Sequence, residues 1–375
     1  MRVLFAGGGT AGHINPAIAG AGYIRSNQPD AELYYIGRKG GMEERLVPAA
    51  GINFHGIEVS GFQRQLNWEN IKYNINAASQ LASASRNARR LLLDIKPDVV
   101  MGTGGYVSGP VLRQAAKLGI KCCIHEQNAF AGVANKMLAP KVDAVMLAMP
   151  DAEKYFKAKN KPIVTGNPVR ESVINMTKQK ARGILGMDER PMILSFAGSL
   201  GARRINETVA DVMAWHWKSG QIVHYHATGE YGVELMPKLL AEKGVDLNCE
   251  NIHITEYIDN MDVMLAAADL VICRSGAITI SELAVQGKPS VLIPSPNVAE
   301  NHQYHNAMTL VSRGAAAIVE EKDLTGEKLT QTVSELITDK ARLEKMSQNA
   351  RKCAITDTNE RIYRIIMKLY ESTKK

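Results

Sequence analysis

Residues 270–282 read LVICRSGAITISE, and this stretch decides the fold because it predicts a strand, a tight glycine turn and a helix in succession. The helical pattern ends at Gly287, Lys288 and Pro289. The unpaired N–H groups and the dipole of such a helix N-terminus favour an anion such as a diphosphate. Glu282, about two helical turns further on, could accept hydrogen bonds from ribose hydroxyls. The stretch therefore indicates a nucleotide or nucleotide-sugar site, although an ordinary strand–helix unit with a glycine turn has the same pattern.

Length and composition indicate a two-domain globular protein. A chain of 375 residues is longer than a typical single domain with one hydrophobic core. Its content of 45% hydrophobic and 22% charged residues is ordinary for a soluble globular protein. No run of about 18 apolar residues occurs, and residues 2–5 look like a first strand rather than a secretory signal. Five cysteines without metal-type spacing predict reduced thiols in a cytosolic protein. The net charge of +7 argues only weakly for nucleic acid, and an anionic membrane surface or acidic ligands fit at least as well.

Apolar runs alternate with amphipathic helical stretches along the chain, which predicts parallel sheets with helices on both faces. In the first half, strands are expected at 2–6, 32–36, 99–101, 121–124 and 144–146, with a helical zone at 70–93. In the second half they are expected at 192–196, 222–227, 251–254, 270–273, 290–293 and 316–319. Residues 161–170, KPIVTGNPVR, predict a linker between two domains. Residues 358–370 predict an amphipathic helix that must dock on one of them.

Four glycine-rich turns follow predicted strands: GGGTAGH at 7–13, GTGGYVSG at 102–109, AGSLGA at 197–202, and the turn within 270–282. The first contains G-x-G-x-x-G, but the acidic residue expected about 20 positions later is matched only loosely by Asp30 or Glu32. Open α/β sheets bind ligands at the carboxyl ends of their strands. Four such turns in two domains therefore predict a ligand cleft between facing domains.

Six motifs resemble, in order, those of the MurG family of bacterial peptidoglycan glycosyltransferases. They are GGTAGH at 8–13, GTGGY at 102–106, HEQNA at 125–129, TGNPVR at 165–170, CRSGA at 273–277 and ENHQYHNA at 300–307. The resemblance covers almost the whole chain. It implies the GT-B fold, an α/β architecture of two Rossmann-like doubly wound domains that face each other across a cleft with the active site. It also implies the transfer of N-acetylglucosamine (GlcNAc) from UDP-GlcNAc to the C4 hydroxyl of the N-acetylmuramic acid of lipid I. The product is β-1,4-linked lipid II, the donor anomeric centre is inverted, and no cofactor is needed.

The resemblance further implies domain limits and a location. Residues 1–164 would form the acceptor and membrane-side domain, residues 165–355 would bind UDP-GlcNAc, and the helix at about 356–375 would pack back on the first domain. The protein would lie peripherally on the cytoplasmic face of the cell membrane, next to an undecaprenyl-linked acceptor. Other proteins of cell-wall synthesis are possible partners.

The matching motifs assign substrate contacts residue by residue. The positions are Thr10, Ala11, Gly12, Asn128, Arg170, Ser199, Ile258, Ser275, Gly276, Ala277, Ile278, Thr279, Ile280, Ser281, Glu282 and Gln303. In the family pattern the backbone of Ile258 reads uracil, residues 277–282 hold the diphosphate and ribose, and Gln303 contacts the GlcNAc hydroxyls. This chain departs from the pattern at Ala11, where many relatives have glycine, but a backbone N–H contact would survive the change.

The residue types suit departure of UDP without a metal ion. The N–H groups of residues 275–277 and the hydroxyl of Ser199 could stabilise the charge that builds on the β-phosphate. The chain has no Asp-x-Asp sequence, the usual carboxylate pair for a metal-bound nucleotide diphosphate. The spacings of His224 with His226 and of His302 with His305 could ligate a metal, but no acidic or cysteine partners accompany them. We therefore expect no metal site and metal-independent catalysis.

An inverting transfer needs a base for the acceptor hydroxyl, an effect of about 10²–10⁴-fold. His13, just after the first glycine turn, is the first candidate because histidine titrates near neutrality. Alternatively, His13 only caps its helix or binds an acceptor phosphate. Glu126 is the second candidate, and His125 is less favoured.

Two segments are candidates for membrane contact. Residues 61–68, GFQRQLNW, mix apolar residues with an arginine, and Arg86, Arg89 and Arg90 recur at helical spacing. A partly buried loop and a solvated basic face would have the same composition, and only the family resemblance favours the membrane.

Three other functions remain open from the residues alone. A UDP-GlcNAc 2-epimerase would bind the same donor without a lipid acceptor. A UDP-sugar sensor or division scaffold would bind the donor without turnover. A nicotinamide oxidoreductase would need a dinucleotide in the first glycine loop. The HEQN and GTAGH motifs argue against the epimerase.

Overall fold

The computed structural model of the chain describes residues 1–59 and 68–374, without the side chains of 68–79. Within these residues the chain forms two compact units. The first unit comprises Met1–Pro168 and Asp357–Lys375, and the second comprises Val169–Thr356. Segment 61–67, the larger part of one candidate membrane loop, lies outside the described residues.

The two sheets and the helices have the following bounds. The strands are β1 Arg2–Ala6, β2 Glu32–Arg38, β3 Asn53–Ile57, β4 Val99–Gly102, β5 Lys121–Glu126, β6 Ala144–Leu147, β7 Ile163–Val164, β8 Met192–Phe196, β9 Val223–Ala227, β10 Ile252–Thr255, β11 Leu270–Cys273, β12 Ser290–Leu292 and β13 Ala316–Ile318. The α-helices are α1 Ala11–Asn27, α2 Glu43–Ala49, α3 Trp68–Ile95, α4 Gly105–Lys117, α5 Val133–Leu138, α6 Glu171–Asn175, α7 Lys178–Leu185, α8 Arg203–His216, α9 Leu235–Glu242, α10 Met261–Ala267, α11 Ala277–Gln286, α12 His302–Val311, α13 Gly326–Ile337, α14 Lys340–Lys352 and α15 Thr358–Glu371. Short 3₁₀ helices occupy Pro150–Tyr155, Trp217–Ser219, Glu230–Gly232, Ala299–Asn301 and Glu321–Asp323.

The first unit is built on a seven-stranded sheet of order β3-β2-β1-β4-β5-β6-β7, and its strand pairs are parallel. Alternation along β1 divides the core between the two faces of the sheet. Val3 and Phe5 pack into one buried cluster, whereas Leu4 and Ala6 pack into another. Both faces are covered by helices, which is why the central strands are almost continuously apolar.

The second unit is built on a six-stranded sheet of order β10-β9-β8-β11-β12-β13, again with parallel strand pairs. In both sheets the strand order runs outward in two directions from the first strand, which is the doubly wound arrangement. The prediction of an α/β chain with two doubly wound parallel sheets is confirmed.

The segment between the units is only partly a linker. Within it β7 pairs with β6, and the amide of Thr165 donates to the carbonyl oxygen of Leu147 at 2.8 Å. These bonds attach the first residues of the segment to the first sheet, and the first compact unit extends to Pro168, whereas the sequence suggested a limit at 164. Helix α15 belongs to the first unit, where Ile362 and Ile366 are buried in the same cluster as Val3.

No helix in the described part of the chain is long and apolar enough to cross a membrane.

Candidate active site

The N-terminus of α11, at the carboxyl end of β11, is a candidate anion site. No side chain caps this helix, and its first turn contains no acidic residue that would offset the helix dipole. Hydrogen bonds to residues of α12 fix the turn before this helix. The Ser275 hydroxyl donates to the carbonyl oxygen of Gln303 at 2.8 Å, and Asn306 Nδ2 donates to the Ser275 carbonyl oxygen at 3.2 Å. The structure thus offers N–H groups on a rigid support where the sequence predicts a diphosphate.

Gly276 precedes this helix without any conformational need for glycine. Its φ of −61° and ψ of 146° are open to every residue type. A Cβ atom placed there would meet only Thr279 Oγ1, at an ordinary 3.6 Å. Space beside the backbone, rather than backbone freedom, is what glycine provides here, and a close ligand would use that space.

Arg170 and Glu282, two predicted donor contacts, lie together in the second unit. Arg170 Nη2 is 3.7 Å from Glu282 Oε1, and the side chain of Glu282 is only 14% exposed. Burial raises the pKa of Glu282, while the charge of Arg170 opposes that rise. Because the arginine side chain is 58% exposed, the pair adds little to stability. Both side chains can therefore exchange this contact for a ligand.

Three further predicted contacts follow strands of the second unit, two of them in loops and one, Gln303, in the first turn of α12. Ser199 is exposed in the glycine turn after β8. Ile258 follows β10, its side chain is buried, and no described residue hydrogen-bonds to its peptide groups. Gln303 Oε1 accepts from the amide of Ser295 at 2.9 Å, and its Nε2 group donates to no described residue. The free peptide groups suit base recognition, and the free amide suits a sugar hydroxyl.

Two strained residues stand directly before α12. Glu300 has a φ of 55° and Asn301 a φ of 48°, so two consecutive non-glycine residues are left-handed. Such conformations cost on the order of 1–3 kcal/mol each and concentrate at functional sites. They set the direction in which α12 starts and hence the position of Gln303. Sequence reasoning missed them: asparagine adopts a positive φ more readily than most residues, but glutamate does not, and no glycine marks the turn.

In the first unit, the ring of His13 is oriented by the glycine loop before it. His13 Nδ1 lies 3.2 Å from the carbonyl oxygen of Gly8 and 3.2 Å from Thr10 Oγ1. A carbonyl oxygen only accepts, so Nδ1 carries the hydrogen and Nε2 keeps a lone pair. Ala11 and Gly12 form the start of α1 beside it. The second glycine turn lies against the ring, since a Cβ on Gly104 would be 3.0 Å from Nε2.

Residues that sequence reasoning did not select hold these two glycine turns together. A Cβ on Gly105 would lie 2.3 Å from the carbonyl oxygen of Gly8, so the turns approach as closely as backbone allows. Ser108 Oγ donates to the carbonyl oxygen of Ala6 at 2.6 Å and accepts from the amide of Gly104 at 3.0 Å. Beneath the first turn, the fully buried Glu43 accepts from the amide of Arg38 at 2.9 Å.

Glu126 has the contacts of a positioning residue. It is 2% exposed, and its carboxylate accepts hydrogen bonds from Asn128 N at 3.0 Å, Gly132 N at 2.9 Å and Asn135 Nδ2 at 2.9 Å. These donors hold the loop that carries Asn128 and occupy the lone pairs that a base would need. The geometry therefore favours His13 over Glu126 as the proton acceptor.

His125 is a neutral structural residue. Its Nε2 lies 2.9 Å from the carbonyl oxygen of Gly166, and its Nδ1 lies 3.0 Å from the side-chain amide of Gln127. Burial lowers the pKa of His125 to about 4. Its two nitrogens thus have protein partners, and the ring has no access to an acceptor sugar.

The described residues contain no group of three or more histidine, cysteine, aspartate or glutamate side chains that could hold a metal ion. His224 and His226 instead share the hydroxyl of Ser195, which lies 2.8 Å from His224 Nε2 and from His226 Nδ1. His302 Nδ1 bonds to the carbonyl oxygen of Ala299 at 2.9 Å.

Comparison with known proteins relates both units to one family. Residues 3–147 match the glycosyltransferase family 28 N-terminal domain, and residues 192–362 match the glycosyltransferase family 28 C-terminal domain. Two relatives are each named UDP-N-acetylglucosamine--N-acetylmuramyl-(pentapeptide) pyrophosphoryl-undecaprenol N-acetylglucosamine transferase. The protein of Ruminiclostridium cellulolyticum is 46% identical over 98% of this chain and 100% of its own length. That of Acetivibrio thermocellus is 44% identical over 98% and 97%.

Solved structures agree with these relatives. The crystal structure of Acinetobacter baumannii MurG has a TM-score of 0.79 and 30% identity, with 98% of this chain and 99% of that chain covered. A UDP-GlcNAc 2-epimerase from Neisseria meningitidis, bound to UDP-GlcNAc, has a TM-score of 0.65 and 15% identity over 98% and 100%, which shows a shared fold alone. The chain has the GT-B fold and belongs to glycosyltransferase family 28, within it to the MurG family of N-acetylglucosamine transferases.

Proposed function

We propose that this chain transfers GlcNAc from UDP-GlcNAc to the C4 hydroxyl of the N-acetylmuramic acid of lipid I and so forms β-1,4-linked lipid II. The N-terminus of α11, which no side chain caps, with Glu282 in the same helix, is the observation that carries the proposal. A helix N-terminus suits a diphosphate and a carboxylate further along the helix suits a ribose, in the order in which a UDP-sugar presents them. Relatives named for this transfer align with 98% of the chain.

The second unit holds the donor in this proposal. The first-turn N–H groups of α11 and the Ser199 hydroxyl bind the diphosphate, and the peptide groups of Ile258 bind uracil. Donor binding turns Arg170 from Glu282 to the diphosphate, which leaves the carboxylate to accept the ribose hydroxyls. Gln303 Nε2 donates to a GlcNAc hydroxyl. The contacts of Thr10, Ala11, Gly12 and Asn128 remain predictions from the family pattern.

The first unit supplies the base. His13 Nε2 accepts the proton of the C4 hydroxyl as that oxygen bonds to C1 of GlcNAc. The bond from C1 to the β-phosphate oxygen breaks, its electron pair leaves with UDP, and attack from the opposite face inverts the anomeric centre. The N–H groups and dipole of α11 oppose the charge that develops on the leaving phosphate. The chemistry proposed for this chain needs no metal ion.

A transfer assay tests the proposal. Purified protein is incubated with radiolabelled UDP-GlcNAc and a lipid I analogue in the presence of EDTA, and we expect labelled disaccharide lipid. Product that forms only after magnesium is added would overturn the metal-free mechanism. Conversion of UDP-GlcNAc to its epimer, or tight donor binding without lipid product, would overturn the transfer itself.

The protein also contacts the cytoplasmic membrane surface peripherally in this proposal. Arg86, Arg89 and Arg90 are exposed on α3, and Leu93 beside them is 50% exposed. Each basic residue near an anionic surface contributes about 1 kcal/mol of attraction.

Co-sedimentation with phosphatidylglycerol vesicles tests this contact. Replacing the three arginines by glutamine should weaken binding at least about tenfold. Replacing Arg342, Lys345 and Lys352, three exposed cations of α14, should have little effect and is the matched control for net charge. An equal loss in both variants would contradict a specific membrane face.

A further inference from the structure

The second unit has another concave surface, at the edge of its sheet opposite the donor loops. A cavity of about 830 Å³ lies at the amino ends of β8, β11 and β12, between α7 and α14. Ser199 and Gly276 follow the carboxyl ends of β8 and β11, so the cavity is separate from the proposed donor site. We name it the basic groove, after Lys178, Arg182, Lys288, Lys340 and Arg351 in its lining.

The charge of the basic groove is not balanced by its own residues. Five basic side chains stand against three acidic ones, Glu189, Asp269 and Glu344. Asp269 is shared by Lys178 and Arg182, the latter at 2.5 Å, and it also accepts from the amide of Met192 at 2.8 Å. The Asp269 carboxylate thus already interacts with two cations and one backbone N–H group. It does not also neutralise the remaining basic side chains of the groove.

Lys340 and Arg351 lie on one face of α14, because they are eleven positions apart and Glu344 and Ser347 line the same groove between them. Neither cation forms an ion pair within the part of the chain that the structure describes. The side chain of Arg351 lies over the turn before β12, since a Cβ on Gly287 would be 2.6 Å from Arg351 Nε. The guanidinium group of Arg351 therefore lies beside the turn that carries Lys288.

Lys288 forms part of that floor. It is 5% exposed, and its Nζ donates to the carbonyl oxygens of Ala266 at 2.6 Å and Ala268 at 2.9 Å. The ammonium group has three N–H bonds, and the third meets no acceptor among the described residues. Burial, with the charges of Lys178, Arg351 and Arg182, lowers the pKa of Lys288 to about 7, and Asp269 opposes this shift. An anion in the groove would accept the third N–H bond of the Lys288 ammonium group and would balance the excess positive charge of the lining.

We propose that the basic groove binds a phosphate group, carried by a soluble phosphorylated molecule or by a phospholipid headgroup. The guanidinium of Arg351 and the remaining N–H of Lys288 are its donors. The volume of the groove suits a molecule of nucleotide size. The site is independent of the glycosyl transfer, because none of its residues belongs to the proposed donor or acceptor machinery.

Inorganic diphosphate is the first probe, titrated into the full-length protein that is already saturated with UDP so that the donor site is filled. Binding is followed by calorimetry and by the ε-¹³C signal of Lys288. We expect a single site and at least a tenfold rise in the proton affinity of Lys288. Arg351→Gln should weaken binding at least tenfold and leave the transferase rate unchanged. Arg342→Gln, on the same helix but outside the groove, should bind normally.

Two further titrations distinguish a phospholipid headgroup from a soluble phosphate compound as the ligand. If phosphatidylglycerol vesicles shift the Lys288 signal and displace diphosphate, whereas phosphatidylcholine vesicles do not, the ligand is a lipid headgroup. If diphosphate alone shifts the signal, the ligand is a soluble phosphate compound. The proposal is overturned if neither probe moves the Lys288 signal, or if diphosphate binds equally well to the Arg351→Gln variant.

Discussion

At the scale of single residues, hydrogen-bond partners decide which polar side chains can move a proton. His13 has one nitrogen held by the carbonyl oxygen of Gly8, so in the neutral ring the hydrogen lies on that nitrogen and the other keeps its lone pair. Glu126 and His125 have partners on their polar atoms and are almost fully buried. A general base needs a ring that is oriented by one hydrogen bond and has a second nitrogen that can take a proton. A positioning residue instead has all of its polar atoms in hydrogen bonds to the protein.

His13→Gln should lower kcat by about 10²–10⁴-fold, because the C4 hydroxyl loses its proton acceptor. Donor affinity should change little, since the donor contacts proposed in the second unit remain. The fall in rate toward acid pH that a histidine base imposes should also disappear. Steady-state rates with lipid I analogue across pH test both effects, and His55→Gln is a control in the same unit. A variant that keeps kcat and loses only acceptor affinity would show His13 to be a binding group.

Glu126→Gln should lower the stability of the protein, while its effect on kcat should be small. The amide has one acceptor oxygen where the carboxylate had two, so at least one buried N–H donor loses its partner, at a cost of about 1–3 kcal/mol. Thermal unfolding should show a lower Tm, and a KM effect should exceed the kcat effect as the Asn128 loop loosens. A large loss of kcat at unchanged Tm would instead identify Glu126 as the base.

At the scale of elements, α11 offers a test of the donor site, because Gly276 in the turn before it is not required to be glycine by the backbone conformation. Gly276→Ala should leave the Tm nearly unchanged, since the φ is ordinary and the new Cβ meets only Thr279 at 3.6 Å. The methyl group would occupy the space for the diphosphate and should weaken UDP-GlcNAc binding at least tenfold, or about 1.4 kcal/mol. Calorimetric titration measures this, with Gly183→Ala in α7 as the control. Unchanged donor affinity would place the diphosphate elsewhere.

Strand positions were predictable where burial is complete and unpredictable at the sheet edge. The bounds of β1 and β8 agree with the apolar runs at 2–6 and 192–196, because a parallel strand covered on both faces must be apolar throughout. By contrast, β3 was missed. Its sequence NFHGI includes a glycine and two polar residues, and as an edge strand it pairs only with β2.

The glycine turns of the site were predictable from their place after strands, but the roles of neighbouring polar residues were not. His125 and Glu126 are adjacent in a strand, so their side chains point to opposite faces of the sheet. Their partners come from Gly166, Gly132 and Asn135, and only the folded chain brings these together. The same holds for the contact between Arg170 and Glu282, which are 112 positions apart.

At the scale of the whole molecule, a chain of buried histidines crosses the second unit. Ser195 joins His224 to His226, His216 Nε2 lies 3.1 Å from His224 Nδ1, and His226 Nε2 lies 3.1 Å from Asn206 Oδ1. Burial lowers the pKa of His216 and of His226 to about 4, and that of His224 falls well below its usual value. The unit therefore folds around three neutral imidazoles.

Stability of the second unit should fall with acid. The unfolded chain binds protons near pH 6.5 and the folded histidines bind them only near pH 4, so the contribution of these histidines to stability is full above pH 6.5 and is lost as the pH falls from there toward 4. The slope should reach about 1.4 kcal/mol per pH unit for each histidine.

Urea unfolding at pH 7, 6 and 5 measures this slope. In a Trp68→Phe background the remaining tryptophans, Trp215 and Trp217, both report on the second unit. His216→Gln should remove about a third of the slope, whereas His302→Gln, at the start of α12 and outside the chain of histidines, should leave it unchanged. A pH-independent free energy of unfolding over this range would mean that the histidines are hydrated and titrate normally in the folded protein.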